Sequence, residues 1–118
     1  MSLENRAVVA TKQGTVDFIC EQAGLAGRLT ARKMFGEFAL YVDGKVIALV
    51  CDDTLFVKPT AQGKAVLGAC DEGSPYPGAK PHLRITGQID DRELLRQLFV
   101  VTADALPTPK PKAKRKKG

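Results

Sequence analysis

The chain has 118 residues, 44% of them hydrophobic and 26% charged. That is enough for one compact domain around one core and too little for two, and the balance excludes a disordered, collagenous or low-complexity chain over most of its length. The formal net charge of +5 is local: Lys110, Lys112, Lys114, Arg115, Lys116 and Lys117 carry it, leaving 12 bases against 13 acids in residues 1–106, so any attraction to nucleic acid or anionic lipid must come from the last dozen residues.

From Thr11 to Ala26 the apolar residues Val16, Ile19, Cys20 and Ala23 recur at i, i+3, i+4 and i+7, which predicts an amphipathic helix stopped by Gly24 and Gly27. Gly14 weakens its first turn and moves the expected start later. A strand is predicted near Thr30–Phe35, followed by two β-rich runs, Phe38–Val42 and Lys45–Cys51, around Asp43-Gly44. That dipeptide suits a two-residue type I′ hairpin, because both central residues must take positive φ. An uninterrupted ladder from it sets Val42 opposite Lys45, Leu40 opposite Ile47 and Phe38 opposite Leu49 on one side, with Tyr41 opposite Val46 and Ala39 opposite Ala48 on the other.

Asp52 and Asp53 make a second turn, less decisive without glycine, into Thr54–Lys58. The middle strand then carries Val46, Ile47, Leu49 and Val50, apolar on both faces, where a sheet with one wet face alternates apolar with polar. Something is expected to cover each face: helices one, and a second copy of the chain the other, which predicts a homodimer. Pro59 ends the meander, and Thr60–Leu67 reads as a short helix capped by Thr60 and closed by Gly68. Asp71–Pro81 holds Gly73, Pro75, Pro77, Gly78 and Pro81, too many breakers for regular structure, so a stiff extended loop pinned by Tyr76 is expected. His82–Thr86 reads as a last, edge strand. Ile89–Leu106 reads as a helix capped by Asp90 or Asp91, with Leu94, Leu95, Leu98, Val101 and Ala105 as its apolar stripe and Pro107 as its stop. The alternating prolines and like charges of 107–118 can bury nothing and predict a solvated, extended tail.

Cys20, Cys51 and Cys70 are odd in number and form no CxxC pair, which argues against a disulfide framework or zinc ribbon and for small hydrophobic residues in a reducing, cytoplasmic setting. No apolar run approaches the roughly 20 residues that span a bilayer, and the N-terminus lacks the charged-then-apolar order of a signal peptide, so no membrane association is expected. The chemistry of catalysis is equally sparse. The serines are Ser2 at one end and Ser74 in a proline-rich loop, and His82 is the single histidine, so neither a nucleophilic triad nor a metal site has its groups. The adjacent aspartates read as a turn (Asp52, Asp53) and a helix cap (Asp90, Asp91) rather than as an acid–base pair. No phosphate-cradling glycine spacing occurs. No catalytic residue, metal or cofactor is predicted.

Two basic features remain. Arg28, Arg32 and Lys33, together with Lys58, Lys80 and Arg84, are candidates for lining one edge of the body, with Arg32, Lys33, Lys58 and Lys80 as tentative binding positions. Lys110, Lys112, Lys114, Arg115, Lys116 and Lys117 supply a tail able to release counterions from a phosphate backbone without reading sequence, or simply to keep the chain soluble.

The stretch Thr30-Ala31-Arg32-Lys33-Met34-Phe35-Gly36-Glu37-Phe38-Ala39-Leu40-Tyr41-Val42-Asp43-Gly44 resembles the signature of the TfoX N-terminal domain family, in which an Arg, Met-Phe-Gly, an aromatic, Leu-Tyr and Asp-Gly follow in that order. Leu55-Phe56-Val57-Lys58 and Pro75-Tyr76-Pro77-Gly78-Ala79-Lys80-Pro81 are similar to that family too, so the resemblance covers about 11–106. It implies a two-layer α+β domain, an antiparallel β-sheet meander with helices packed on one face, akin to secretion-chaperone-like folds. It also implies a role linked to transcriptional regulation of competence genes, since full-length TfoX promotes transcription of DNA-uptake genes. Those regulators carry a second, C-terminal domain, so a stand-alone N-terminal domain over 1–106 with a basic tail over 107–118 is expected. The combined reading is a non-enzymatic cytoplasmic regulatory module that contacts protein, with the transcription machinery as a candidate partner, dimerises through its sheet and attracts DNA nonspecifically through the tail. Its alternative is a small dimeric protein-interaction domain with no transcriptional role.

Overall fold

The computed structural model describes residues 12–34 and 37–107. Helix α1 spans Gln13–Ala23 and buries Val16, Ile19 and Ala23; Gly24 ends it in the left-handed region at φ 66°. Its first residue follows Lys12, whose own side chain makes no capping bond. Asp53, far along the chain, supplies the anion instead: its Oδ1 accepts the Lys12 N–H at 2.8 Å, where a carboxylate favours the positive end of the helix dipole.

Strands β1 (Leu29–Met34), β2 (Glu37–Val42), β3 (Lys45–Cys51) and β4 (Thr54–Val57) form the antiparallel meander, followed by α2 (Ala61–Leu67), β5 (Asp71–Gly73), β6 (His82–Ile85), a 3-10 turn at Gly87–Asp90, and α3 (Arg92–Ala105). The six strands lie in the order β1-β2-β3-β4-β6-β5, each pair antiparallel. This is an α+β fold in which, among the described residues, three α-helices serve one face of one sheet.

The predicted bend is present, with Asp43 at φ 52° and Gly44 at φ 82°. A second bend of the same kind joins β3 to β4, with Asp52 at φ 52° and Asp53 at φ 58°. Aspartate tolerates that left-handed region better than most residues with a Cβ.

The ladder between β2 and β3 differs from the uninterrupted one. Val42 opposes Lys45 and Tyr41 opposes Val46, but Leu40 then opposes Ala48, Ala39 opposes Leu49 and Phe38 opposes Val50. Ile47 is the extra residue of a β-bulge. Because strand side chains alternate, that one-residue shift exchanges faces: Ile47, Ala48 and Val50 all join the helix-covered core, while Leu49 moves to the other side. Consecutive apolar residues in β3 thus partly reflect a bulge rather than two equally apolar faces.

Two further expectations are corrected at the far side of the sheet. Asp71–Gly73, expected to be loop, is a short strand, because the breakers begin only at Ser74 and Pro75 and β6 offers it Arg84, Leu83 and His82 as partners. In consequence β6 is an interior strand between β4 and β5 rather than an edge. The loop between them is held by buried Pro75 and by Ser74 Oγ donating to the Ala79 carbonyl at 2.9 Å, with Tyr76 half exposed instead of pinning it.

The core is one cluster in which Val16, Ile19 and Ala23 of α1 and Leu95, Leu98, Phe99 and Ala103 of α3 meet Phe38, Leu40, Val42, Ile47, Val50, Leu55, Val57, Leu83 and Ile85. Full burial of each large aliphatic or aromatic side chain contributes about 1.5–3 kcal/mol. The stripe of α3 is rotated from the expected one. It runs through Leu95, Leu98, Phe99 and Thr102, leaving Leu94, Val101 and Ala105 partly exposed. Asp91 is the cap, accepting the Leu94 N–H at 3.1 Å. At the other end Lys45, the residue after the first bend, donates from Nζ to the carbonyls of Ala103 at 2.8 Å and Leu106 at 3.1 Å. A cation there satisfies orphan carbonyls and opposes the negative end of the dipole.

Gly44→Ala places a Cβ at φ 82°, so we expect a loss of about 1 kcal/mol or more in urea unfolding. Unchanged stability would remove the two-residue bend.

Candidate functional site

Alternation places a second set of side chains on the sheet face away from the helices. Across the strands, Arg32 pairs with Ala39, Ala39 with Leu49, Leu49 with Phe56 and Phe56 with Arg84. This continuous rung has three apolar residues at its centre flanked by two arginines, and beyond Arg84 it ends at Asp71 on β5. Thr30, Tyr41 and Val46 form the rung on one side of it, and Met34 opposes Glu37 on the other.

Ala39 and Phe56 are buried, Leu49, Tyr41 and Val46 are partly exposed, and Met34 is 43% exposed. Local side chains rather than a helix provide the cover. The Arg32 guanidinium carbon lies 6.0 Å from the centre of the Tyr41 ring, at the outer limit of a cation–π contact. At the opposite end Phe56 Cε1 and Arg84 Cδ lie 3.6 and 3.7 Å from where a Cβ on Gly73 would stand, so the arginine stem and the glycine strand close over the phenyl edge.

Hollows open along this face. Met34, Glu37, Phe38, Leu49, Cys51 and Tyr76 line one of about 260 Å³. Burial pushes the Cys51 thiol up to about 12, and its hydrogen bond with Glu37 adds to the rise. The thiol is therefore protonated at neutral pH and poorly nucleophilic. Burial likewise raises Cys20 and Cys70, and none of the three cysteines is in a disulfide. The second hollow, about 390 Å³, is lined by Tyr41, Gly44, Lys45, Val46, Lys58, Leu106 and Pro107, so the described chain ends in its wall.

The structure does not gather the predicted basic residues into one edge. Arg32 and Lys33 lie on β1, whereas Arg84 lies on β6, four strand spacings or about 19 Å away. Arg28 is taken up by Asp43, with Nε to Oδ1 at 3.1 Å and Nη2 to Oδ2 at 2.8 Å. That bond holds the Asp43 carboxyl below its ordinary range. Lys58 follows β4 beside Tyr41 in the second hollow. Lys80 is exposed in the loop before β6, and its carbonyl lies 2.8 Å from His82 Nδ1. Arg84 shares its surroundings with Asp52 and Glu72. Lys110, Lys112, Lys114, Arg115, Lys116 and Lys117 lie outside the described residues.

Of the apolar centre, Val46 stands on the side that the uninterrupted ladder gives it, Leu49 does not, and Phe56 and Met34 are not among the expected contact residues. The alternation of β4 offers a signal for Phe56; Leu49 was assigned to the other side by the unbulged ladder. Among the described residues, no three His, Cys, Asp or Glu side chains are grouped to hold a metal ion, and no helix is long and apolar enough to cross a membrane.

The fold and this face define a small α+β domain with helices on one side of an antiparallel sheet and a partly apolar, arginine-flanked surface on the other. Residues 21–106 match the model of the TfoX N-terminal domain family, and the chain belongs to that family. It is also 41% identical over 109 residues to a protein of Spirochaeta aurantia described as an uncharacterized 12.7 kDa protein in the trpE 5′ region, a match that covers 92% of this chain and 95% of that one.

In the folded protein at pH 8 Cys51 should resist a thiol reagent such as dithionitrobenzoate, whereas all three cysteines titrate in urea. Reaction of Cys51 at the rate of a free thiol would contradict the closed, carboxylate-backed position assigned to it.

Proposed function

We propose that this chain is a non-enzymatic regulatory module that works by protein contact across the open face of its sheet, in the cytoplasm, in a role linked to transcriptional regulation of competence genes. The observation that carries the reading is the Arg32–Ala39–Leu49–Phe56–Arg84 rung, an apolar centre that the chain's own helices leave to other cover. A second copy of the chain is the proposed occupant, since two such faces bury each other's Leu49, Val46 and Tyr41. Family membership supports the regulatory part, and the transcription machinery is the proposed source of a further partner. Three free cysteines support a reducing compartment.

The tail adds sequence-independent attraction to DNA. Its six cations follow closely on Pro107 in the wall of the Lys58 hollow, and a tail fully engaged on duplex DNA would give log K against log salt a slope of about −5.

Sedimentation equilibrium at tens of micromolar should report a dimer, and Leu49→Lys should shift it to monomer while the thermal transition is kept. A monomeric parent chain would contradict the face-to-face contact. A mobility-shift titration at two salt concentrations separates the roles of the tail: replacing its six cations by glutamine should abolish the salt-dependent binding. Equal affinity would leave an interaction domain whose tail serves solubility alone.

A further inference from the structure

Strand β1 is the edge of the sheet, and its six residues pair with β2 in unbroken register from Leu29 opposite Val42 to Met34 opposite Glu37. Among the described residues no strand lies on its other side. Antiparallel strands direct the main-chain groups of alternate residues towards the partner. The Asp43 N–H donates to the Arg28 carbonyl at 3.0 Å, which fixes the phase: Thr30, Arg32 and Met34 turn their main-chain groups to β2, and Leu29, Ala31 and Lys33 turn theirs outward. The Leu29 N–H is used, donating to the Leu25 carbonyl at 3.0 Å. The Leu29 carbonyl and both main-chain groups of Ala31 and Lys33 remain directed at the open side.

Natural sheets blunt such an edge by making it short, bulged or proline-bearing. The opposite edge, β5, follows that pattern with three residues. Strand β1 does not: it is twice as long, holds no proline, and the bulge sits one ladder further in, between β2 and β3. Its guard is charge alone. Arg32 and Lys33 are exposed, neither is in a salt bridge among the described residues, and β1 holds no acid. Arg28 differs, being neutralised by Asp43.

We infer that the free edge of β1 accepts, as an added strand, an acidic extended segment of a partner protein. The charges select the occupant. A second β1 pairing antiparallel would crowd two arginines and two lysines into one short ladder, whereas carboxylates on an incoming strand meet them with opposite sign. Arg32 and Lys33 are consecutive and point to opposite faces, so the matching acids are consecutive too. An antiparallel strand running past Met34, Lys33, Arg32 and Ala31 in turn therefore has the pattern apolar, acidic, acidic, β-branched. Main-chain bonds supply the affinity and this pattern the selectivity. The inference uses the main-chain edge of β1, shares only Arg32 and Met34 with the open face, and does not depend on the face-to-face dimer.

The test is a titration of the full ¹⁵N-labelled chain with an acetylated octapeptide centred on Val-Glu-Asp-Val, followed by amide shifts and exchange. The Ala31 and Lys33 amides should shift and exchange more slowly on saturation, and affinity should fall at least tenfold with rising salt. It should fall at least tenfold when Arg32→Glu and Lys33→Glu are combined, and equally when the peptide's central acids become lysines or the residue facing Ala31 becomes proline. The peptide substitutions decide the matter should the double variant lose its fold. Shifts confined to the open face or to 108–118, with Ala31 and Lys33 unmoved, would overturn the inference, as would undiminished binding of the lysine or proline peptide.

Discussion

Asp43 and Gly44 start the β2–β3 ladder with Val42 opposite Lys45, and one unpaired residue, Ile47, then moves every later pair by one position. Most of the molecule depends on that bulge. It brings Ile47, Ala48 and Val50 together under the helices and puts Leu49 on the far face. A strand without it would leave Ala48 and Val50 where Leu49 now stands, and the rung from Arg32 to Arg84 would not exist. The bend upstream matters for the helices too, because it aims Lys45 at the last carbonyls of α3. Turn, bulge and helix end are thus one connected arrangement.

Electrostatics in the body are local. Asp43 neutralises Arg28, Asp53 serves the start of α1, and Arg84 sits among acids. A carboxylate whose pKa is lowered in the folded state contributes stability above its unfolded pKa and loses it as pH falls through the folded one, so the Arg28–Asp43 bond belongs to neutral pH and weakens under acid. Being exposed, it is screened by salt. Arg32 and Lys33 on β1 stand without an ion pair among the described residues, whereas Arg28, Lys64 and Arg96 pair with Asp43, Glu72 and Glu93.

Much of the fold was legible because its signals are chemical and short-range. Asp43-Gly44 demands positive φ, Thr60 caps α2 by accepting the Gly63 N–H, and Gly24 and Gly68 end helices. The errors share another origin. Ile47 bulges into the core beneath the helices, among contacts that no window of sequence contains. Asp71–Gly73 has no preference of its own for a strand and becomes one only because β6 lies beside it. The stripe of α3 had two acceptable phases in its periodicity, and Phe99 chose between them by entering the core. Charge alone groups Arg32, Lys33, Lys58 and Lys80, and three-dimensional order separates them; Leu49 joins the apolar centre between the arginines only in the bulged ladder.

The register of β2 against β3 is most directly tested by cross-strand NOEs in the labelled full chain. The account predicts contacts joining Tyr41 to Val46, Leu40 to Ala48 and Phe38 to Val50, with Ile47 lacking a directly opposed partner. Contacts joining Leu40 to Ile47 and Phe38 to Leu49 would contradict it, and would remove the arginine-flanked face with it.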